Sequence, residues 1–413
     1  MLRVSTATRY VTPKEPCYLA GYSMRTEKSA GVLDALKCTA AVLDIDGDFV
    51  VLCDVEVLML TREIVQYVKE RLHTAFGIDP ALVTVASIHT HAAPEIRSAR
   101  LKMFDENADP SFWIHYQEFL KKTIFETISE CFETGFTQAQ ASYHTVRIDG
   151  FYGNRNGIGK PEDKDVTIVR FTGEDGAVKA ALVNISCHPT VLGANNLLVS
   201  GDLLGYISRE TETRFGVFPV MLQGAAGDMS NRNYRHGHDA AELRRTGDGI
   251  VAQMFSDGTY APLQLAQPSA ELYNYHREYD IDTSEWQQRR NELQAAMDAE
   301  KEYDKHKILQ SSLFAVDLKL STPHIIADYD ASILRMGDLR ICKLPGEMFS
   351  RFGKQIKQAS PAKLTLIWGY ADDYAGYMAD EGEYGKTYES LLSPLPKGGT
   401  EQITSELCAL IAK

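Results

Sequence analysis

Reactive side chains follow directly after apolar runs at four places in this chain. The first is Val83-Thr84-Val85-Ala86-Ser87-Ile88, which leads into His89-Thr90-His91 and then Ala92-Ala93-Pro94. Two imidazoles one residue apart at a strand end face the same side, because side chains alternate with period two. Neutral imidazole nitrogen is a common zinc donor. A metal pair and two hydrogen-bonded loop histidines both fit this stretch. The second place is Ala181-Leu182-Val183-Asn184-Ile185-Ser186-Cys187, followed by His188-Pro189-Thr190 and later Ser200-Gly201-Asp202. Proline holds this histidine rigid, which suits a ligand, although a hydrogen-bonded core histidine reads the same way. The third is Gln223-Gly224-Ala225-Ala226-Gly227-Asp228-Met229-Ser230. Its small residues permit either close approach and anion binding by backbone amides or a tight strand-to-helix turn. The fourth is Leu339-Arg340-Ile341-Cys342-Lys343-Leu344, followed by Pro345-Gly346-Glu347. A carboxylate there caps a helix or, beside histidines, completes a metal site. Tyr370, Tyr374, Tyr377, Tyr384 and Tyr388 follow closely. Buried phenols each need a polar partner, so this cluster points to a polar pocket.

In this order, the stretches resemble the neutral/alkaline non-lysosomal ceramidase family. The resemblance runs from Leu19-Ala20-Gly21-Tyr22 to the tyrosine cluster, nearly the whole chain. The family's His-Thr-His-Ser-Gly-Pro signature is similar to His89-Thr90-His91-Ala92-Ala93-Pro94, and its Asn-Arg-Ser element to Asn154-Arg155-Asn156. His188-Pro189-Thr190, Ser200-Gly201-Asp202, Gly346-Glu347-Met348 and Tyr374-Ala375-Gly376-Tyr377 with Glu383-Tyr384 resemble its other elements. The resemblance implies a catalytic zinc ion held by His89, His188, Glu347 and Tyr377. It further implies that His91, Arg155 and a later tyrosine, Tyr384 or Tyr388, polarise the scissile amide. Zinc brings the pKa of its water to about 7. Arg155 and His91 would then stabilise the oxyanion that develops.

Two departures shape the reading. The family's nucleophilic serine, in a Gln-Ser-Asn stretch, is matched here by Gln223-Gly224-Ala225, so glycine stands in its place. Water at the metal is then the attacking group, with Asp202, Asp228 or His91 to take its proton. Ser230 is expected to cap a following helix. The chain also stops soon after the tyrosine cluster, without a counterpart of the ceramidases' C-terminal immunoglobulin-like domain. Ceramide is therefore not the expected substrate.

Apolar runs that alternate with amphipathic stretches predict an α/β fold with a mixed sheet, spanning residues 1–413 as one catalytic domain. The zinc site falls at its strand ends, where open sheets bind ligands. Strands are predicted over 39–45, 48–54, 82–88, 166–171, 179–187, 217–223, 313–320, 339–344 and 364–368. Helices are predicted over 62–75 and 110–134. Residues 282–311 read as an exposed helical insertion that starts at Asp282-Thr283-Ser284-Glu285. It is solvated, laid over the body, or a contact between copies in a homo-oligomer.

A net charge of −13 over 413 residues argues against nucleic acid or an anionic membrane as partner. No run approaches the ~20 apolar residues of a membrane helix, so membrane insertion is not expected. The first residues lack a signal-peptide pattern. The seven scattered cysteines (17, 38, 53, 131, 187, 342 and 408) read as reduced thiols of a cytoplasmic protein.

Together these readings predict a zinc-dependent hydrolase that cleaves an amide bond in a small soluble substrate. An ester, lactone or sugar-linked substrate, cleaved by hydrolysis or by a lyase, suits the same site. A non-catalytic metal- or ligand-binding protein is the reading outside enzymes. His91 and Arg155, which a structural metal does not need, favour the enzymatic readings.

Overall fold

The computed structural model describes residues 1–22, 25–97, 111–256 and 258–413. A mixed nine-stranded sheet is built from β1 (Leu2–Tyr10), β2 (Lys37–Ile45), β3 (Asp48–Val55), β4 (Val83–Ser87), β5 (Thr137–Arg147), β6 (Asp165–Gly173), β7 (Val178–Ile185), β8 (Val220–Gln223) and β9 (Ala261–Leu263). Its order is β8-β7-β6-β5-β1-β2-β3-β4, with β9 against β5. The β3–β4 and β7–β8 pairs are parallel. A four-stranded sheet follows, in the order β10 (Ser269–Asp280), β11 (His324–Met336), β12 (Leu339–Lys343) and β13 (Leu364–Trp368), with β12–β13 parallel.

The helices are α1 (Arg62–Phe76), α2 (Ser111–Thr134), α3 (Asp202–Phe215), α4 (Ala240–Met254), α5 (Thr283–Ala299), α6 (Tyr303–Ser321), α7 (Ser350–Ala359), α8 (Tyr388–Leu392) and α9 (Gly399–Ile411). Alternation along β2 explains the layering. Cys38, Ala40 and Val42 pack with Val65 and Val68 of α1 and Leu120 and Ile124 of α2. Ala41, Leu43 and Ile45, on the opposite face, pack with Leu334, Ile341 and Trp368 of the second sheet. Because both faces are covered, all nine residues of β2 are buried. The second sheet's outer face meets Phe352 and Ile356 of α7 and Ile403 and Leu407 of α9. The layers therefore run helix, sheet, sheet, helix, each apolar face buried against the next.

The first sheet curls so that its edge strand β8 stands beside β3. Asp54 Oδ1 accepts the Met221 N–H at 3.1 Å, and Gln223 Nε2 donates to Ile88 O at 3.5 Å. The second sheet reaches the same corner. Gly369 N–H donates to Gln223 O at 2.8 Å, and Ser87 N–H to Tyr370 O at 3.2 Å. The C-terminal ends of β4, β7, β8, β12 and β13 converge there.

Several expectations need correction. Residues 313–320 are not a strand but the last part of α6, in which Ser312, Ala315, Val316 and Lys319 are buried at helical spacing. The helical insertion is two helices, α5 and α6, and extends past residue 311 to Ser321. Asp282 does cap α5, accepting from Ser284 and Glu285 N–H. The arm is not solvated throughout, because Trp286, Leu293, Leu313 and Val316 form an apolar cluster with Leu391 of α8. Strands β1, β5, β10 and β11 carry too many polar residues to stand out as apolar runs. The helix expected over 110–134 is α2, and Pro110 lies outside the described residues. The cysteines are free thiols, all buried except the half-buried Cys408. Among the described residues, no helix is long and apolar enough to cross a membrane.

Candidate metal centre

The turn after β4 is built to aim one imidazole inward. Ile88 N–H donates to Val55 O and His89 N–H to Val57 O, at 3.1 and 3.0 Å. His89 takes the left-handed φ of +67°. Such backbone costs on the order of 1–3 kcal/mol and persists where the surroundings impose it. Tyr370, at the end of β13, also has a left-handed φ, +55°, and its ring stacks on His89 with centroids 4.2 Å apart. His188 follows β7, and its N–H is held by Met229 O at 3.0 Å.

Hydrogen bonds determine the tautomers of both rings. His89 Nδ1 lies 2.8 Å from Leu58 O, and His188 Nδ1 lies 2.6 Å from Ala226 O. A carbonyl only accepts, so each Nδ1 carries the proton and each Nε2 presents a lone pair. Both lone pairs face Glu347 Oε2, which is 2.9 Å from His188 Nε2 and 3.5 Å from His89 Nε2. The carboxylate also accepts from the Tyr374 and Tyr370 hydroxyls. Burial, the largest cause, pushes the His89 pKa down to about 3 and lowers that of His188 as well. Neutral rings leave three acceptors facing one another with no proton between them, an arrangement that a cation resolves. Ring nitrogens backed by carbonyls are the usual outer support of metal-binding histidines.

His91 adjoins this centre. One ligand atom from each of His89, His91 and His188 lies within 4.8 Å of the others, so the three imidazoles can hold a metal ion. Both ring nitrogens of His91 are buried with no partner among the described residues. Burial, the largest cause, holds the His91 pKa well below the usual histidine value. Gly21, at φ +95°, gives the ring its space, since a Cβ there would lie 2.3 Å from His91 Nδ1. Arg25 holds the loop from behind, donating to His91 O at 2.9 Å, Ala20 O and Gly193 O.

Arg155 is brought in by the short antiparallel pairing of Gly153–Asn154 with Met229–Ser230. Its guanidinium is buried, donating through Nε to Glu389 Oε1 at 2.7 Å and through Nη2 to Tyr377 Oη at 3.1 Å. Tyr377 sits beside Glu347 because Glu347–Met348 pairs in parallel with Tyr377–Met378. The phenols hydrogen-bonded to Glu347 are nevertheless Tyr374 and Tyr370. The Tyr388 ring lies 6.2 Å from the Tyr377 ring. Tyr384 instead packs on Trp286 of α5, 6.3 Å between centroids.

Asp202 and Asp228 are engaged in holding backbone. Asp202 accepts from the N–H groups of Val191, Leu192 and Leu203. Asp228 accepts from Ser350 N–H at 2.7 Å, Asn154 Nδ2 at 2.8 Å and Ser350 Oγ at 3.1 Å. Burial raises their pKa values to about 6 and about 7. Gly224 and Gly227, in the turn before Asp228, have their N–H groups committed to backbone carbonyls rather than to an anion. Gly224 N–H donates to Ile185 O and Gly227 N–H to Met348 O. A Cβ on Gly227 would lie 2.4 Å from Glu347 O, so this glycine lets the Glu347 strand close in. At Gly224 a Cβ would lie 2.3 Å from Ser186 Oγ, so a side chain there requires the Ser186 hydroxyl to turn aside. Ser230 caps no helix. Its hydroxyl accepts the Arg232 N–H in a turn, and the next helix, α4, is capped by Asp239.

Sequence reasoning gave no role to Glu389, or to Tyr370 and Tyr374 as partners of Glu347. The signal around Glu389 is a capping box, Thr387 with Ser390, which marks a helix start but no partner for the acid between them.

The mixed α/β fold that carries this centre is the fold of solved neutral ceramidase structures. The whole chain superposes on the crystal structure of neutral ceramidase from Pseudomonas aeruginosa with a TM-score of 0.73 and 18% sequence identity, covering 74% of that chain. A ceramidase complexed with C2 matches the whole chain with a TM-score of 0.74 and 16% identity, covering 75% of its own chain. No family model and no curated protein matches the sequence.

Proposed function

We propose that this protein is a zinc-dependent hydrolase that cleaves an amide bond in a small soluble substrate rather than in ceramide. The observation that carries this reading is the meeting of His89 Nε2, His188 Nε2 and Glu347 Oε2, three acceptors 2.9 and 3.5 Å apart with no shared proton. Two imidazoles and a carboxylate suit zinc, with Tyr377 beside them as the fourth donor. Zinc supplies Lewis acidity and a water acidic enough to react near neutral pH.

The chain's own residues do the rest. Arg155, fixed by Glu389 and Tyr377, offers its remaining N–H groups to a carbonyl oxygen on which negative charge grows. His91, neutral and without a hydrogen-bond partner among the described residues, is the base that takes the proton of the attacking water. Asp202 and Asp228 hold backbone and leave that role to it. A cleft of about 480 Å³ adjoins Tyr374 and is lined by Arg62, Asp328, Asp373 and Leu392, which favours a polar substrate. A net charge of −13 disfavours work at an anionic membrane surface.

A zinc-loaded preparation assayed on matched N-acyl amides, esters and lactones tests the reading. Amide cleavage that disappears in His188→Ala supports it. Preference for esters or lactones moves the bond but keeps the hydrolase. Binding without any turnover leaves a metal- or ligand-binding protein. A second metal reading rests on the three clustered imidazoles, which would make His91 a ligand instead of the base. His91→Ala that keeps its zinc but loses turnover favours the base, and loss of zinc favours the ligand.

A further inference from the structure

Glu389 is a buried acid for which zinc chemistry has no direct use. It lies in the first turn of α8, where a carboxylate ordinarily complements the helix N-terminus. Here it reaches across the fold instead. Its Oε1 accepts from Arg155 Nε at 2.7 Å, and its Oε2 accepts from Asn156 Nδ2 at 3.4 Å. The paired side chains are 7% and 3% exposed, so solvent cannot substitute for either partner. Among the described residues, Glu389 occupies the Nε edge of the guanidinium and Tyr377 one Nη2 position, leaving the rest of the planar fork for a ligand.

The helix that carries Glu389 is itself anchored. Leu391 is buried against Trp286, Leu313 and Val316 of the α5–α6 hairpin. Lys319 Nζ donates to Ser393 O at 2.9 Å, and Ser393 Oγ donates to Tyr377 O at 2.7 Å. The hairpin therefore braces α8, and α8 braces the arginine.

We infer that Glu389 is a positioning residue that orients the Arg155 guanidinium toward the substrate carbonyl, acting through the arginine without touching substrate. The inference rests on the hydrolase reading for its chemistry. The two fail separately, because orientation of Arg155 can be measured by binding alone. The probe is acetohydroxamate, which offers a carbonyl oxygen beside a metal-chelating group. Its affinity is measured by calorimetry on zinc-loaded wild type, Glu389→Gln, Glu389→Asp and Arg155→Ala, alongside zinc content and turnover of the best amide.

Glu389→Gln should keep its zinc and bind the probe roughly 10-fold more weakly, as Arg155→Ala should. Turnover should fall ~10- to 100-fold through kcat with KM within about twofold. Glu389→Asp keeps the charge but is one methylene shorter, so it should recover part of the loss. Equal probe affinity in wild type and Glu389→Gln overturns the inference. So does loss of zinc or of the fold in both Glu389 variants, which makes the pair purely structural. Probe binding that obeys these ratios in a protein that hydrolyses nothing upholds Glu389 and removes the hydrolase reading instead.

Discussion

His188 Nε2 and Glu347 Oε2 stand 2.9 Å apart although the histidine, with its Nδ1 proton committed to Ala226 O, has no proton to give. Two buried acceptors at hydrogen-bond distance repel unless a positive charge lies between them. About one zinc per chain is therefore expected by elemental analysis, lost in His89→Ala and His188→Ala. Chelation should lower the melting temperature and added zinc restore it, because an ion that binds only the folded state stabilises it. A fully folded, active protein free of metal would refute the site.

Arg155 touches Glu389 and Tyr377 but neither histidine through a hydrogen bond. Its removal should leave zinc in place while weakening stabilisation of the oxyanion. Arg155→Ala is expected to lower turnover ~100-fold or more at unchanged zinc content. Turnover within about twofold of wild type would make this arginine structural.

A Cβ at Gly224 would stand 2.3 Å from Ser186 Oγ, which has to turn aside to admit it. Gly224→Ala should destabilise the fold by about 1–3 kcal/mol through overpacking, read from denaturant unfolding. With no hydroxyl at this position, hydrolysis should proceed without a burst and without labelling by serine-directed phosphonates. Ser230→Ala is expected to keep most activity. An acyl group trapped on Ser230, or activity lost there with zinc retained, would make that serine the nucleophile.

Lys319 lies over the Trp286 ring at 4.3 Å, and burial pulls its pKa down from 10.5 to about 8. Between these values the unfolded chain binds the extra proton, so this group's contribution to stability rises with pH across that window. It is complete above about 10.5 and lost as pH falls through 8. The gain is at most about 3 kcal/mol. The stability difference between wild type and Lys319→Met should shift in favour of wild type from pH 8 to pH 10. A flat difference across that range would mean that Lys319 titrates normally.

The residues that meet at the centre were singled out in the sequence by local signals, each of which also fits an ordinary structural role. It was the family resemblance that joined them into one ligand set. His89-Thr90-His91, His188-Pro189 and Gly346-Glu347 each follow an apolar run, and strand ends of α/β sheets are where polar side chains face a site. The mixed α/β class, the 62–75 helix and the Asp282 cap were likewise set by short-range periodicity and capping. Longer alternating strands such as β10 escaped, since half-polar runs stand out only once they are paired.

What only the tertiary structure shows is how these signals meet. His89 and His188 follow β4 and β7, far apart in the strand order, and come together because the sheet curls until Met221 hydrogen-bonds to Asp54. Packing against α8 makes residues 313–320 a helical brace, and Tyr384 lies against Trp286 rather than at the centre. Arg155 pairs with Glu389 across the chain. Periodicity and capping act over a few residues, whereas these contacts depend on how whole layers pack, and no local spacing records that.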